Sequence, residues 1–284
     1  MGLQRLARVG LVVALTLAVP LSAQVAARVA TEGGSSAPAR SSVAPKGVHV
    51  TWATTRRVLD DGRAYFLRAP HCNKDNPACT DLLARPREVV FFLHGAGGPE
   101  DRDTAASWLQ GLNGFGPDTI FVYGVSQGGT KRFDAGFCCT EEPVDDVGYL
   151  MDVVDDIASD WGVDRDRVGA TGLSNGGMLA LRAGCERPDV FSVVVGLAAT
   201  YPGSCDAGRL RVGQWHGGED TTVPLEGGTV TILGHARDIP PVASLAQRMA
   251  RGSVYMLRVI PGRGHSMTWK DFGRSTTWLL ENFR

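Results

Sequence analysis

The chain has no excess of charge of either sign. Its 284 residues carry 29 Lys and Arg against 30 Asp and Glu, a formal net charge of −1. No basic run stands out, which excludes a nucleic-acid or anionic-membrane surface built from clustered Lys and Arg. No apolar run reaches the roughly 20 residues that a membrane-spanning helix needs. No Cys-x-x-Cys pair exists, and the cysteine spacings fit no zinc site. No Gly-Lys-Ser/Thr follows a glycine-rich turn, so a Walker phosphate loop is excluded. The sequence shows no internal repeat of structural period and no appended binding module. Nothing in it calls for a metal or a cofactor.

The N-terminus is expected to be an export signal spanning 1–27. Arg5 and Arg8 form a basic start, residues 10–19 form an apolar core, and residues 20–27 are a small-residue cleavage zone. The alternative is an uncleaved anchor, for which the core is short. Cleavage removes two arginines and no acid, leaving a mature chain near −3. Residues 28–46 lack apolar periodicity and read as a disordered linker. Residues 47–284 then form one domain, large enough to bury a full core.

Six cysteines in an exported chain favour disulfides. Cys72 and Cys79 bracket a turn-rich segment and are expected to bridge locally. Cys138 and Cys139 are adjacent, with Cα atoms about 3.8 Å apart, closer than the usual disulfide spacing, so a bond between them would be strained. Each is therefore expected to reach outward, to Cys185 and Cys205, in an order the sequence leaves open.

Apolar runs near 88–93, 119–123, 168–171, 191–197, 210–215 and 254–260 read as strands. Residues 48–67 add a two-stranded start that turns at Asp60-Asp61-Gly62. Helices are expected at 103–112, 145–161, 242–250 and 272–283. The alternation predicts an α/β fold, a mostly parallel central sheet with helices on both faces. Functional groups in such sheets gather at the carboxyl ends of the strands.

The nucleophile motif G-x-S-x-G occurs twice, as Gly124-Val125-Ser126-Gln127-Gly128 and as Gly172-Leu173-Ser174-Asn175-Gly176. It requires a strand, a sharp turn that lifts the serine hydroxyl, and a helix starting at once. Ser174 is followed by helix-forming residues, Ser126 by a polar, glycine-broken loop. Ser174 is therefore the expected nucleophile. A serine needs a base, and the base needs a carboxylate to fix its tautomer. The chain order Ser, acid, His is met by Asp220 and His265, each just beyond a strand. Glu219, Asp206 and Asp238 compete with Asp220 but fit the strand end less well. His94 and His216 precede glycines at strand ends and are expected to brace loops, while His235 falls within a loop. The oxyanion donors are expected to be the backbone N–H groups of Asn175 and Ala96, the latter in the turn His94-Gly95-Ala96-Gly97-Gly98. Trp269 is a candidate substrate contact, with core packing as the alternative.

The chain combines this glycine turn, Phe133-Asp134-Ala135-Gly136-Phe137-Cys138-Cys139, Asp145-Asp146-Val147-Gly148-Tyr149 and Gly172-Leu173-Ser174-Asn175-Gly176-Gly177-Met178. His216-Gly217-Gly218-Glu219-Asp220, Val223-Pro224, Gly227-Gly228 and Gly264-His265 with Trp269 follow in order. Together these segments resemble the secreted esterases grouped as polyhydroxybutyrate depolymerases and feruloyl esterases. The resemblance implies an alpha/beta-hydrolase fold and ester hydrolysis, with Ser174, Asp220 and His265 matching the family's triad. Two features depart from the pattern: the stretch 71–87 is longer than expected, and Gly218 stands where Thr is more frequent. Residues 198–210 are too short for a large cap domain, so an open cleft is expected. The implied partner is an ester, on feruloyl or acetyl groups of plant polysaccharide or on a short hydroxyalkanoate polyester. A serine peptidase of the same fold and an inactive secreted binding protein are the rival readings. The physiological ester and the oligomeric state are left open.

Overall fold

A computed structural model describes residues 47–112, 114–115, 118–232 and 235–283. The expected signal (1–27) and linker (28–46) lie outside the described residues.

The domain begins with a hairpin, β1 (Thr51–Val58) and β2 (Ala64–His71). It pairs antiparallel about the expected turn, Val58 facing Ala64, and runs four residues further than the sequence suggested. Asn76 then caps a short helix α1 (Pro77–Leu83), accepting from the Ala78 N–H at 3.0 Å. Pro77 suits that first turn, where its missing N–H is no loss. The apolar run Arg87–Leu93 is β3, and α2 (Arg102–Leu112) leads to β4 (Ile120–Gly124), buried at all five positions. The loop after β4 forms only a 3-10 turn, Gln127–Gly129.

Helix α3 (Asp146–Asp160) starts as its acids predict. The Asp145 carboxylate accepts from the Gly148 N–H at 2.8 Å. Its Leu150, Val153, Val154 and Ile157 are fully buried, each such side chain contributing about 1.5–3 kcal/mol through removal from water. Strand β5 (Val163–Leu173) leads directly into α4 (Asn175–Glu186), and β6 (Phe191–Leu197) and β7 (Arg211–Gly217) follow.

An antiparallel pair that the sequence did not suggest comes next, β8 (Gly228–Ile232) with β9 (His235–Ile239). His235 thus opens an exposed strand rather than sitting in a loop. The expected helix at 242–250 is reduced to a 3-10 turn and α5 (Leu245–Arg248). Tertiary bonding cuts it short: the Arg248 guanidinium donates to the Tyr201 and Gly203 carbonyls, and Met249 bridges to Cys205. Strand β10 (Val254–Ile260) and α6 (Trp269–Glu281) close the fold. Thr268 and Asp271 form a capping box on α6, so the helix starts three residues earlier than the apolar spacing alone indicated.

The main sheet has eight strands in the order β1-β2-β4-β3-β5-β6-β7-β10. The β1–β2 and β2–β4 pairs are antiparallel and all others are parallel. Buried clusters lie on both faces of this sheet. Among the described residues, no helix occurs between β6 and β7. This is an alpha/beta-hydrolase fold. Among the described residues, no helix is long and apolar enough to cross a membrane.

The expected cysteine pairing is corrected. Cys72 bonds Cys79 as predicted, but Cys138 bonds its neighbour Cys139, and Cys185 bonds Cys205. The end of α4 and the loop after β6 bring the Cα atoms of Cys185 and Cys205 to 4.5 Å, within direct bridging range. The chain accommodates the adjacent pair by turning Cys139 to a φ of 96°.

Candidate active site

The turn from β5 into α4 sets the first group. Ser174 has φ 51° and ψ −118°, a conformation that non-glycine residues rarely adopt. Its N–H donates to the Leu197 carbonyl on β6 at 2.8 Å, and its own carbonyl accepts from Met178 at 2.8 Å. Sheet and helix together over-determine the strained residue. The flanking glycines are needed for close approach. A Cβ on Gly172 would lie 2.5 Å from the Gly176 carbonyl carbon, and one on Gly176 would strike the Leu93 and His94 carbonyls.

His265, in the turn after β10, joins Ser174 to Asp220, in the turn after β7. The His265 Nε2 lies 2.9 Å from Ser174 Oγ, and Nδ1 lies 2.8 Å from Asp220 Oδ2. The Asp220 side chain has no exposed surface, and the His265 ring keeps about a fifth of its own. The other carboxylate oxygen, Oδ1, accepts from the Thr222 and Val223 N–H groups, both at 2.9 Å. The structure therefore brings all three predicted groups into one hydrogen-bonded line. A hydroxyl facing an imidazole that is held by a buried carboxylate can be deprotonated as it attacks.

His216 sits beside this acid. Its Nε2 donates to the Val223 carbonyl at 2.7 Å and lies 3.5 Å from Asp220 Oδ2. Burial pushes its pKa below the ordinary histidine value, although the Val223 carbonyl and the Asp220 charge pull the other way. It braces the acid turn, as its place before glycine suggested.

The second rim of the site is the glycine turn after β3. Ala96 is exposed there, while Asn175 is buried at the first position of α4. A first-position N–H has no acceptor within its own helix, so the Asn175 amide is a ready donor. His94 Nε2 lies 2.9 Å from Glu100 Oε1, and the same oxygen accepts from the Ser126 N–H at 2.6 Å. Burial alone would raise the Glu100 carboxyl, but these hydrogen bonds hold it below the usual range. No motif had pointed to Glu100. Ser126 is buried in this network, its Oγ accepting from Arg132 N–H at 3.1 Å and its side chain bonded to Glu100 rather than to an imidazole.

The Asn175 side chain adds a link that the motif did not suggest. Its Nδ2 donates to the Phe133 carbonyl and its Oδ1 accepts from the Phe133 N–H, each at 2.8 Å. Two residues earlier, the Lys131 carbonyl accepts from the Gly97 N–H at 2.8 Å. The 131–133 segment thus ties the start of α4 to the glycine turn.

Trp269 is the first residue of α6 and is 46% exposed. It packs against Trp108, centroids 5.0 Å apart, and lines a groove along α6 to which Ser174, Asp220 and His265 do not contribute. Among the described residues, no cluster of His, Cys, Asp or Glu could hold a metal.

Fold and site define an alpha/beta-hydrolase. A model of the prolyl oligopeptidase family matches residues 141–202, which contain α3, the Ser174 turn and β6. NocK of Nocardia uniformis subsp. tsuyamanensis, named as an esterase, is 30% identical over 186 residues, 61% of this chain and 50% of that one. Feruloyl esterase C of Emericella nidulans is 27% identical over 175 residues, 59% of this chain and 58% of that one. The S-formylglutathione hydrolase structure from Staphylococcus aureus superposes with a TM-score of 0.55 at 14% identity, covering 84% of this chain and 99% of that one. A ferulic acid esterase of Anaeromyces mucronatus gives 0.50 at 15% identity, covering 84% and 92%. The chain spans only about half the length of the curated relatives it matches. Over part of its length the chain is thus similar to proteins named as esterases, and the solved structures share its alpha/beta-hydrolase fold.

Proposed function

We propose that the protein hydrolyses carboxylic esters through Ser174, His265 and Asp220. The observation that carries this reading is the continuous line from Ser174 Oγ through the His265 ring to the buried Asp220 carboxylate. In the first half-reaction His265 Nε2 takes the Ser174 proton as Oγ bonds to the ester carbonyl carbon. The carbonyl oxygen gains negative charge and is met by the N–H groups of Asn175 and Ala96. Each such donor is worth about 2.7–4 kcal/mol in transition-state stabilisation. The intermediate collapses, the C–O bond to the alcohol breaks, and His265 returns the proton to the leaving oxygen. In the second half-reaction His265 deprotonates a water as it attacks the acyl carbon; the bond to Ser174 Oγ then breaks, releasing the acid, and His265 returns the proton to Oγ. Asp220 keeps Nδ1–H in place and stabilises the imidazolium throughout.

The lack of a helix between β6 and β7 among the described residues supports esters carried on polymers or small aryl esters over a deeply enclosed lipid. The relative named feruloyl esterase C supports a feruloyl or related acyl group, with acetyl esters of polysaccharide and short hydroxyalkanoate polyesters as neighbouring choices. The three disulfides support action outside the cytoplasm.

The test is hydrolysis of a short aryl acetate and of methyl ferulate by the protein and by Ser174→Ala. Turnover of both that vanishes in the variant supports a feruloyl-type esterase. Turnover of the acetate alone moves the acyl group to acetyl or hydroxyalkanoyl. The prolyl oligopeptidase match favours one rival, a serine peptidase; cleavage of a peptidyl anilide, with neither ester turned over, would replace the ester reading with it.

A further inference from the structure

A groove of about 890 Å³ runs along α6 and the outer strand β10, apart from the site described above. Four aromatic residues are among those that line it, Phe115, Trp215, Trp269 and Trp278. Trp278 lies part-buried, edge-on to Trp215 at 5.9 Å between centroids, and Phe115 is 37% exposed. Trp269 is the most informative of these. A large exposed ring normally folds against its neighbours or is replaced by a polar residue. Trp269 is instead held in place with nearly half its surface in water. Its ring lies over Gly111, where an added Cβ would collide with it, and Trp108 and Phe272 flank it. The ring thus packs on Gly111, Trp108 and Phe272 while facing solvent with the rest of its surface.

The rim of the same groove carries Arg258, Lys270 and Arg274, all exposed, against the single acid Glu281. None of the three cations forms a salt bridge among the described residues, although Arg274 is near enough to the Asp271 carboxylate to help lower its pKa. The local charge is therefore opposite in sign to that of the whole chain, which is −1. An aromatic platform beside exposed cations has a specific complement. A pyranose ring lays its C–H face on the aromatic face, and a carboxylate on that sugar is met by the guanidinium or ammonium groups.

We propose that this groove binds an acidic polysaccharide chain, with a uronate sugar on Trp269 and its carboxylate among Arg258, Lys270 and Arg274. Because α6 is 13 residues long, the groove extends about 20 Å at 1.5 Å per residue, room for a short run of sugars. Trp269 lies four residues beyond His265 in the chain, so a polymer held here passes close to the loop that carries the catalytic imidazole of the proposed triad. Binding does not depend on hydrolysis and stands or falls separately from it.

The test is calorimetric titration of Ser174→Ala protein, which cannot consume an ester, with a galacturonate hexamer, neutral xylohexaose and dextran sulfate. The galacturonate hexamer is expected to bind, and xylohexaose to bind at least tenfold more weakly. Trp269→Ala should weaken galacturonate binding about three- to tenfold. The exposed pair Lys270→Ala and Arg274→Ala, which leaves the packing intact, should weaken it by a similar factor and steepen no other property. Absence of galacturonate binding overturns the proposal. So does dextran sulfate binding that Trp269→Ala leaves unchanged, since the groove would then be only a charged patch. A concentration-dependent dimer, seen by light scattering and abolished by Trp269→Ala, would assign the face to a second copy of the chain instead.

Discussion

Replacing Asn175 by Ala tests how the two rims of the site are held together. The Asn175 side chain makes two buried hydrogen bonds to the Phe133 backbone, both at 2.8 Å. Truncation leaves the Phe133 N–H and carbonyl without partners beside a fully buried ring. Each orphaned group costs about 1–3 kcal/mol, so the variant should lose about 2–6 kcal/mol against a typical total of about 5–15. The urea midpoint should fall by roughly 1–2 M at the slopes usual for single domains. Function should suffer as well. Phe133 follows Lys131, whose carbonyl fixes the Gly97 N–H next to Ala96. Loosening this segment displaces one proposed oxyanion donor, so kcat on an aryl acetate should fall by up to about 10²–10³ with little change in KM. A variant with the parent's urea midpoint and kcat would refute the idea that this bridge holds the site.

Ser174→Ala should abolish ester turnover and keep the unfolding midpoint. Ser126→Ala loses the hydrogen bond from Arg132 and the side-chain bond to Glu100, about 0.5–1.5 kcal/mol each, and should keep most activity; an inactive Ser126 variant beside an active Ser174 variant would reverse the assignment. Gly172→Ala places a Cβ 2.5 Å from backbone of Gly176 and 2.6 Å from that of Leu93, neither of which can yield, so soluble folded protein should drop sharply, and a normal circular dichroism melt would contradict the packing argument. The depressed pKa of His216 means that the unfolded chain takes up this proton first as pH falls; stability should be full above about 6.5 and decline below it. His216→Gln should flatten that decline between pH 6.5 and the acid limb, and a slope identical to the parent's would exclude His216 as its source. Cys185–Cys205 spans 20 residues and constrains the unfolded chain by about 3 kcal/mol on the loop-entropy model, whereas Cys138–Cys139 encloses no loop. Double serine substitution should therefore cost much more stability at 185 and 205 than at 138 and 139, and equal losses by urea melts would refute that model here.

The parallel strands were readable because each is buried on both faces and so is apolar almost without interruption, as Val89 to Leu93 and Phe191 to Leu197 are. What could not be read depends on contacts distant in sequence. Strands β8 and β9 are mostly exposed and short, with only Val230 and Ile232 alternating on β8 and Ile239 buried on β9. Helix α5 stops where Arg248 is drawn to the carbonyls of Tyr201 and Gly203, about forty-five residues earlier. Glu100 has no motif around it, and its role follows only from β3 and β4 lying side by side, which brings His94 and Ser126 to one carboxylate.

The two serine motifs show why a pattern needs its flanks. Both follow strands of the same sheet, and β4 and β5 both neighbour β3. A strand end alone therefore does not distinguish them. The difference lies in what the backbone must do next. After Ser174, Gly176 lets α4 begin against the Leu93 and His94 carbonyls, and the forced left-handed turn is repaid by a twelve-residue buried helix. After Ser126, Gly128 and Gly129 both take positive φ, which no helix can continue, and the serine hydroxyl turns inward to Arg132. The helix-forming residues that follow Ser174, and the consecutive glycines that follow Ser126, are thus the physical cause of one hydroxyl facing an imidazole and the other being spent on its own loop. The same reasoning failed for the adjacent cysteines because it treated ordinary disulfide spacing as a limit on the backbone. Cys139 instead adopts φ 96°, which frees Cys185 and Cys205 for each other and leaves the adjacent pair beside Met178 on α4.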